Sequence, residues 1–105
     1  MTDTLTRKKR IIIEKFMGHP PNLYHYAFDW NDIMGVVEKI RGLSVIEGSG
    51  TYGVLIDKQY TQIYEDNENN APVLDVQDPS FTTLYCVFEA CYEFIEYYNK
   101  IMNLK

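Results

Sequence analysis

From Pro79 to about Met102 the chain carries one unbroken helical pattern that has almost no polar side. At about 100° per residue, Glu93, Glu96 and Lys100 all fall within about 40° of Glu89. Leu84, Phe88, Cys91, Phe94, Ile95, Tyr98 and Met102 occupy the opposite side, and Tyr85, Tyr92 and Tyr97 border the charged stripe. A helix with so wide an apolar arc must be enclosed on most of its circumference. It is therefore either the central helix of its domain or part of a subunit interface. Tyr98 falls in the middle of the apolar arc, where a buried phenol would need a hydrogen-bond partner.

The other elements must supply that enclosure within a chain of 105 residues, which is enough for one core and too little for two. A single domain, 1–105, is expected. Apolar residues make up 46% of the chain, the ordinary globular range. A first helix is predicted from about Leu5 to Met17, with Asp3 or Thr4 as its N-cap and Gly18 as the left-handed residue that ends it. Pro20 and Pro21 forbid continuation. A second helix follows Asp29. Trp30, Ile33, Met34, Val36, Val37 and Ile40 share its apolar side, Asn31, Asp32, Glu38 and Lys39 share the wet one, and Gly42 is its stop.

Beyond Leu43 the period changes to two. Tyr52, Val54 and Ile56 alternate with Gly53 and Leu55, and Tyr60, Gln62 and Tyr64 alternate with Thr61 and Ile63. The short turn from Asp57 to Gln59 makes these runs an antiparallel hairpin. Residues 44–47 and 73–76 are candidate extra strands, and a polar loop over 65–72 separates the hairpin from the second of them. Pro79 fits the first turn of the closing helix, where its missing N–H is harmless. The fold class is α+β, a single α/β/α-type sandwich in the order helix, helix, β hairpin with a possible extra short strand, and long C-terminal helix.

Charge and cysteine content narrow the setting. The net charge of −5 argues against a nucleic-acid binder, which needs a basic surface to displace counterions. Arg7, Lys8, Lys9, Arg10 and Lys15 concentrate half the basic residues in the first helix. Neighbouring positions on a helix point around its circumference, so they form a solvated helix rather than one basic face. No apolar run approaches the roughly 20 residues of a membrane span, and no apolar signal core follows the basic stretch, so a cytoplasmic location is expected. Cys86 and Cys91, five residues apart on one helix, are too far apart to bridge and read as buried free thiols.

Several motifs imitate chemistry. Residues 48–53, GSGTYG, spell G-x-G-x-x-G, yet no kinase lysine, H-R-D or D-F-G follows, and a strand rather than a dinucleotide-binding helix comes next. The glycines read as a turn or bulge leading into a strand. Asp66, Glu68 and Asn70 have the spacing of the first EF-hand ligands, but Ala71 and Gln77 stand where glycine and glutamate are required. His19 and His25 lack partners at zinc-binding spacing. Glu89, Glu93 and Glu96 line one helix face, which is better explained as that helix's solvated side. No catalytic residues, cofactor or metal ligands are assigned. One constellation is retained: Tyr24, His25, Tyr26 and Trp30 concentrate aromatic groups ahead of a helix N-terminus. They would serve as a ligand or partner site, or simply cover the end of the core.

Two stretches carry a family resemblance. DWNDIMGVVEKI, residues 29–40, is similar to a helix of the phage ABA-sandwich family, and VFEACYEFIEYYNK, residues 87–100, resembles that family's closing helix. Gly35 stands where the family commonly has proline, and Tyr97 where tryptophan is usual. These are small proteins of phages and gut-bacterial mobile elements. The resemblance implies a sheet layered between helices and no assigned enzymatic activity, and its motifs are packing residues. The expected function is that of a non-enzymatic accessory or interaction protein of phage or mobile-element origin, binding another protein or a second copy of itself as a homodimer. The alternative is a small-ligand binding or sequestering protein that uses residues 24–30, taking a nucleotide or metabolite.

Overall fold

The structure is a computed structural model that describes residues 2–18, 30–46 and 48–103. Three helices, α1 (Thr2–Met17), α2 (Trp30–Arg41) and α3 (Thr83–Asn103), accompany three strands, β1 (Thr51–Asp57), β2 (Tyr60–Asp66) and β3 (Pro72–Gln77). The strands form one antiparallel sheet in the order β1-β2-β3. The α+β class and the element order are those read from the sequence.

The wide apolar arc of α3 is explained by its position. Cys86, Val87, Phe88, Ala90, Cys91, Phe94 and Ile95 are fully buried. The helix rests on all three strands, α2 packs against both α3 and β1, and, among the described residues, α1 touches α3 and α2 but no strand. The layers therefore run sheet, then α3 with α2, then α1, and the closing helix rather than the sheet takes the middle. On the sheet, Tyr52, Thr61, Ile63 and Val76 are buried on the helix-facing side, while Leu55, Asp57, Asp75 and Gln77 on the other side are exposed. Period-two alternation thus places one face in the core and leaves one open.

The ends of the elements hold most of the departures from expectation. Helix α1 begins at Thr2, so Asp3 and Thr4 lie within its first turn rather than capping it; an acidic residue suits either place at the positive end of a helix. Gly18 ends it in the left-handed conformation, φ 83°, donating to the Lys15 carbonyl at 3.0 Å. Trp30 does not join the buried face of α2. As the helix's first residue it sits beyond the core and is 42% exposed, whereas Ile33, one turn on, is fully buried. Gly42 closes α2 with its N–H on the carbonyls of Glu38 and Lys39. Lys39, near that end, donates to the Phe16 carbonyl and lies over the Phe16 ring, fastening α2 to the end of α1.

Of the two candidate extra strands, residues 73–76 become β3, whereas Ser44 makes only an isolated bridge to Thr51. The neighbouring backbone is committed elsewhere: the Val45 N–H bonds the Gly50 carbonyl, and the Ile46 N–H bonds the Tyr52 hydroxyl. Helix α3 starts four residues later than Pro79. Asp78 accepts from the Ser80 N–H and hydroxyl in a tight turn, which holds its carboxyl below the usual range. Thr82 is the N-cap, accepting from the Tyr85 N–H at 3.1 Å. At the far end, Tyr98 is only half-buried and stacks on Phe94, and Met102 is 47% exposed, because the helix outruns the sheet. The buried phenol is instead Tyr52, edge-on to Phe94 at 4.8 Å with its hydroxyl on Ile46. Cys86 and Cys91 are free and buried, and burial pushes the Cys91 thiol up to about 12.

Gly53 pairs with Tyr64 across β1 and β2, and the Tyr64 ring lies where a side chain at position 53 would be. A Cβ there would come within 2.4 Å of the ring. Gly53→Ala is expected to push the Tyr64 ring off its seat at a cost of no more than about 1 kcal/mol, because the clash is with the far end of a side chain that can swing aside, measured by denaturant unfolding. The cost should shrink when Tyr64→Ala is added, since the two positions share one contact. Thr61 makes the opposite case, because its hydroxyl is fully buried without a hydrogen-bond partner among the described residues. Thr61→Val is expected to stabilise by about 1 kcal/mol, and a thermal midpoint below wild type would refute that account.

Candidate binding surface

Of the aromatic constellation ahead of α2, Tyr24, His25 and Tyr26 lie outside the described residues, and the structure places only Trp30, exposed at the start of the helix.

The carboxylate line on α3 divides in two. Glu93 and Glu96 are exposed, as a solvated face should be, but Glu89 is covered by α1. Lys9 donates to both Glu89 oxygens at 2.8 and 2.9 Å, with the two side chains only 12% and 13% exposed. Such a pair is shielded enough from solvent to hold α1 on α3, unlike a freely solvated surface pair. Lys9 also lies 5.1 Å above the Tyr92 ring centre. Burial works against the Lys9 charge, but the bond to Glu89 and its negative charge outweigh it and keep the ammonium pKa above the ordinary value. Next to this pair, desolvation and the Glu89 charge raise the pKa of Glu93. Glu14 on α1 is 98% buried, and its Oε1 has no hydrogen-bond partner among the described residues. Lys9 and Glu89 thus build the contact between α1 and α3.

The open face of the sheet does carry a concavity. A shallow depression of about 340 Å³ is lined by Leu55, Gln62, Tyr64, Asp66 and Asn70. Leu55, Gln62 and Tyr64 share this face through the alternation of β1 and β2, with Leu55 directly opposite Gln62. A register shift at Ile63 and Tyr64, where Ile63 pairs with Leu74 and Tyr64 with Pro72, bulges the ladder beside the depression. Bulges of this kind re-aim neighbouring side chains. Leu55 is 49% exposed, a large aliphatic group standing in water.

Both motifs that imitate phosphate and calcium sites serve to build this concavity. Gly50, φ 83°, passes so close to β2 that a Cβ would lie 2.5 Å from the Asp66 carbonyl. Asn67 then ties the loops together, donating to the Ser49 carbonyl at 2.8 Å and accepting from the N–H groups of Asn69 and Asn70. Asn70 takes the left-handed conformation, φ 50°, and so turns the chain back into β3. Asp66 and Asn70 are thereby held at one end of the depression. Among the described residues, no group of three or more His, Cys, Asp or Glu side chains could hold a metal ion.

The sequence contained half of this site. The alternation that defines Gln62, Tyr64 and Leu55 as one face is legible, but which face the helices would cover, and that the Asn-rich loop would fold back to the same place, are not. With the geometry in view, the comparisons add nothing to it: no family model, no curated protein and no solved structure matches this chain.

The raised pKa of Glu93 yields a pH test. Its folded value lies above the ordinary 4.5, so stability is present below 4.5 and declines as pH rises through the folded value. Glu93→Gln mimics the protonated acid and can still donate to Glu89. The variant is expected to be more stable than wild type at about pH 7 and equal to it at about pH 3, in paired thermal melts.

Proposed function

We propose that this chain is a non-enzymatic interaction protein of phage or mobile-element origin, which binds an extended segment of another protein on the open face of its sheet. The observation that carries the reading is Leu55, half-exposed on the edge strand β1 of a three-stranded face that no helix among the described residues covers. Single exposed apolar residues are common on protein surfaces. Here the leucine adjoins Tyr64 and a preformed concavity, which is how a specific contact is built.

Size decides between a peptide and a rigid globular partner. Strands of six or seven residues at about 3.3 Å per residue, spaced about 4.8 Å apart, give a face of roughly 20 by 15 Å, or about 300 Å². A standard stable interface removes about 800 Å² from each partner. An extended peptide suits the smaller area. Self-association through α3 has less support, because its apolar arc is enclosed within the domain as far as Ile95. The resemblance of residues 29–40 and 87–100 to phage ABA-sandwich helices supports the origin named here. No helix among the described residues is long and apolar enough to cross a membrane.

Selection from a displayed random-peptide library tests the reading. Peptides enriched on the wild-type chain are expected to lose at least about tenfold in affinity on Leu55→Glu and to keep it on Lys39→Ala, a change on the far helix. Peptides indifferent to Leu55→Glu, or none enriched at all, would overturn it. Sedimentation of the same variants covers the remaining case: a wild-type dimer that Leu55→Glu leaves intact would place the interface elsewhere.

A further inference from the structure

We infer that the depression between Leu55 and the Asn70 loop is a receptor for an arginine side chain of the bound segment, an assignment that rests on the sheet-face reading above. Its walls divide by chemistry along its length. Leu55, with Gln62 opposite it, marks one end, the ring of Tyr64 lies between, and Asp66 and Asn70 offer oxygen acceptors at the other end. A long side chain with an apolar stem and a cationic, planar, many-donor head matches that sequence of surfaces. Arginine has this form: its stem packs on aliphatic groups, its guanidinium stacks on aromatic faces, and its donors pair with carboxylate and amide oxygens. Lysine would satisfy the charge but neither the stacking nor the several acceptors.

The surrounding field has the same sign. Over residues 51–78, Asp57, Glu65, Asp66, Glu68, Asp75 and Asp78 stand against the single base Lys58. Lys58 sits in the turn joining β1 to β2, at the opposite end of those strands from Asp66. A cation approaching the depression therefore meets an acidic surface, which speeds its encounter and disfavours anionic competitors. The volume of about 340 Å³ has room for one long side chain. The receptor is also preformed. Tyr64 is seated on Gly53, and Asn67 holds Asn70 and the Ser49 carbonyl, so little ordering is needed on binding.

The test uses the library-selected peptides in synthetic form. Enriched sequences are expected to share an arginine at one fixed position. Its replacement by citrulline, which keeps the shape and removes the charge, should weaken binding about tenfold or more, and lysine should not restore it. On the protein, Asp66→Asn should cause a similar loss, while Asp75→Asn, on the same face but outside the depression, should leave affinity within about twofold. Peptides that depend on Leu55 but carry no fixed arginine, or that bind Asp66→Asn as well as wild type, would sink the arginine assignment and leave the sheet-face reading standing. Failure to enrich any peptide would remove both.

Discussion

Enclosure of α3 is the constraint on which the rest of the structure depends. Its buried residues, from Cys86 to Ile95, face several directions at once, so no single partner element could cover them. The sheet takes one side, α2 fills the angle between α3 and β1, and α1 closes the back through the Lys9–Glu89 pair. Each neighbour needs only one apolar face, and each has one. The division of labour explains why the flanking elements are amphipathic in the ordinary way while the last helix is not.

That logic was legible in the sequence because it is periodic. The spacing of Ile33, Val36, Val37 and Ile40 and the alternation through β1 and β2 specify buried faces without reference to tertiary structure. What resisted reading depends on local competition between hydrogen bonds. Asp78 could have capped α3, but Ser80 captures it in a turn and Thr82 takes over as the cap. Ser44 and Val45 could have extended the sheet, but Gly50 and Tyr52 claim the adjacent backbone groups. Trp30 and Tyr98 failed for a different reason. Helical periodicity gives the direction of a side chain but not whether the core extends that far along the axis, and both lie near helix ends.

The binding surface inherits these two kinds of information. Its floor follows from strand alternation. Its rim comes from residues whose pattern points to other chemistry: a glycine string that resembles a phosphate loop and an acidic, asparagine-rich turn that resembles a cation loop. In both, the residues that invite a ligand reading are explained by close backbone approach, at Gly50 against Asp66 and at Asn70 in its left-handed turn. The chemical use proposed for the site comes from what these turns hold in place.

The seat of Tyr64 on Gly53 has a consequence for how the hairpin finds its alignment. Sliding β2 by one residue would turn Thr61 and Ile63 out to water. Sliding it by two would keep the faces but set the Tyr64 ring opposite Thr51 or Leu55, where a side chain already stands. Only the native alignment offers the ring a bare stretch of backbone. A glycine that looks like a weakness in the middle of a strand thus works as a keyway, and the tyrosine as the key that fits one position along it.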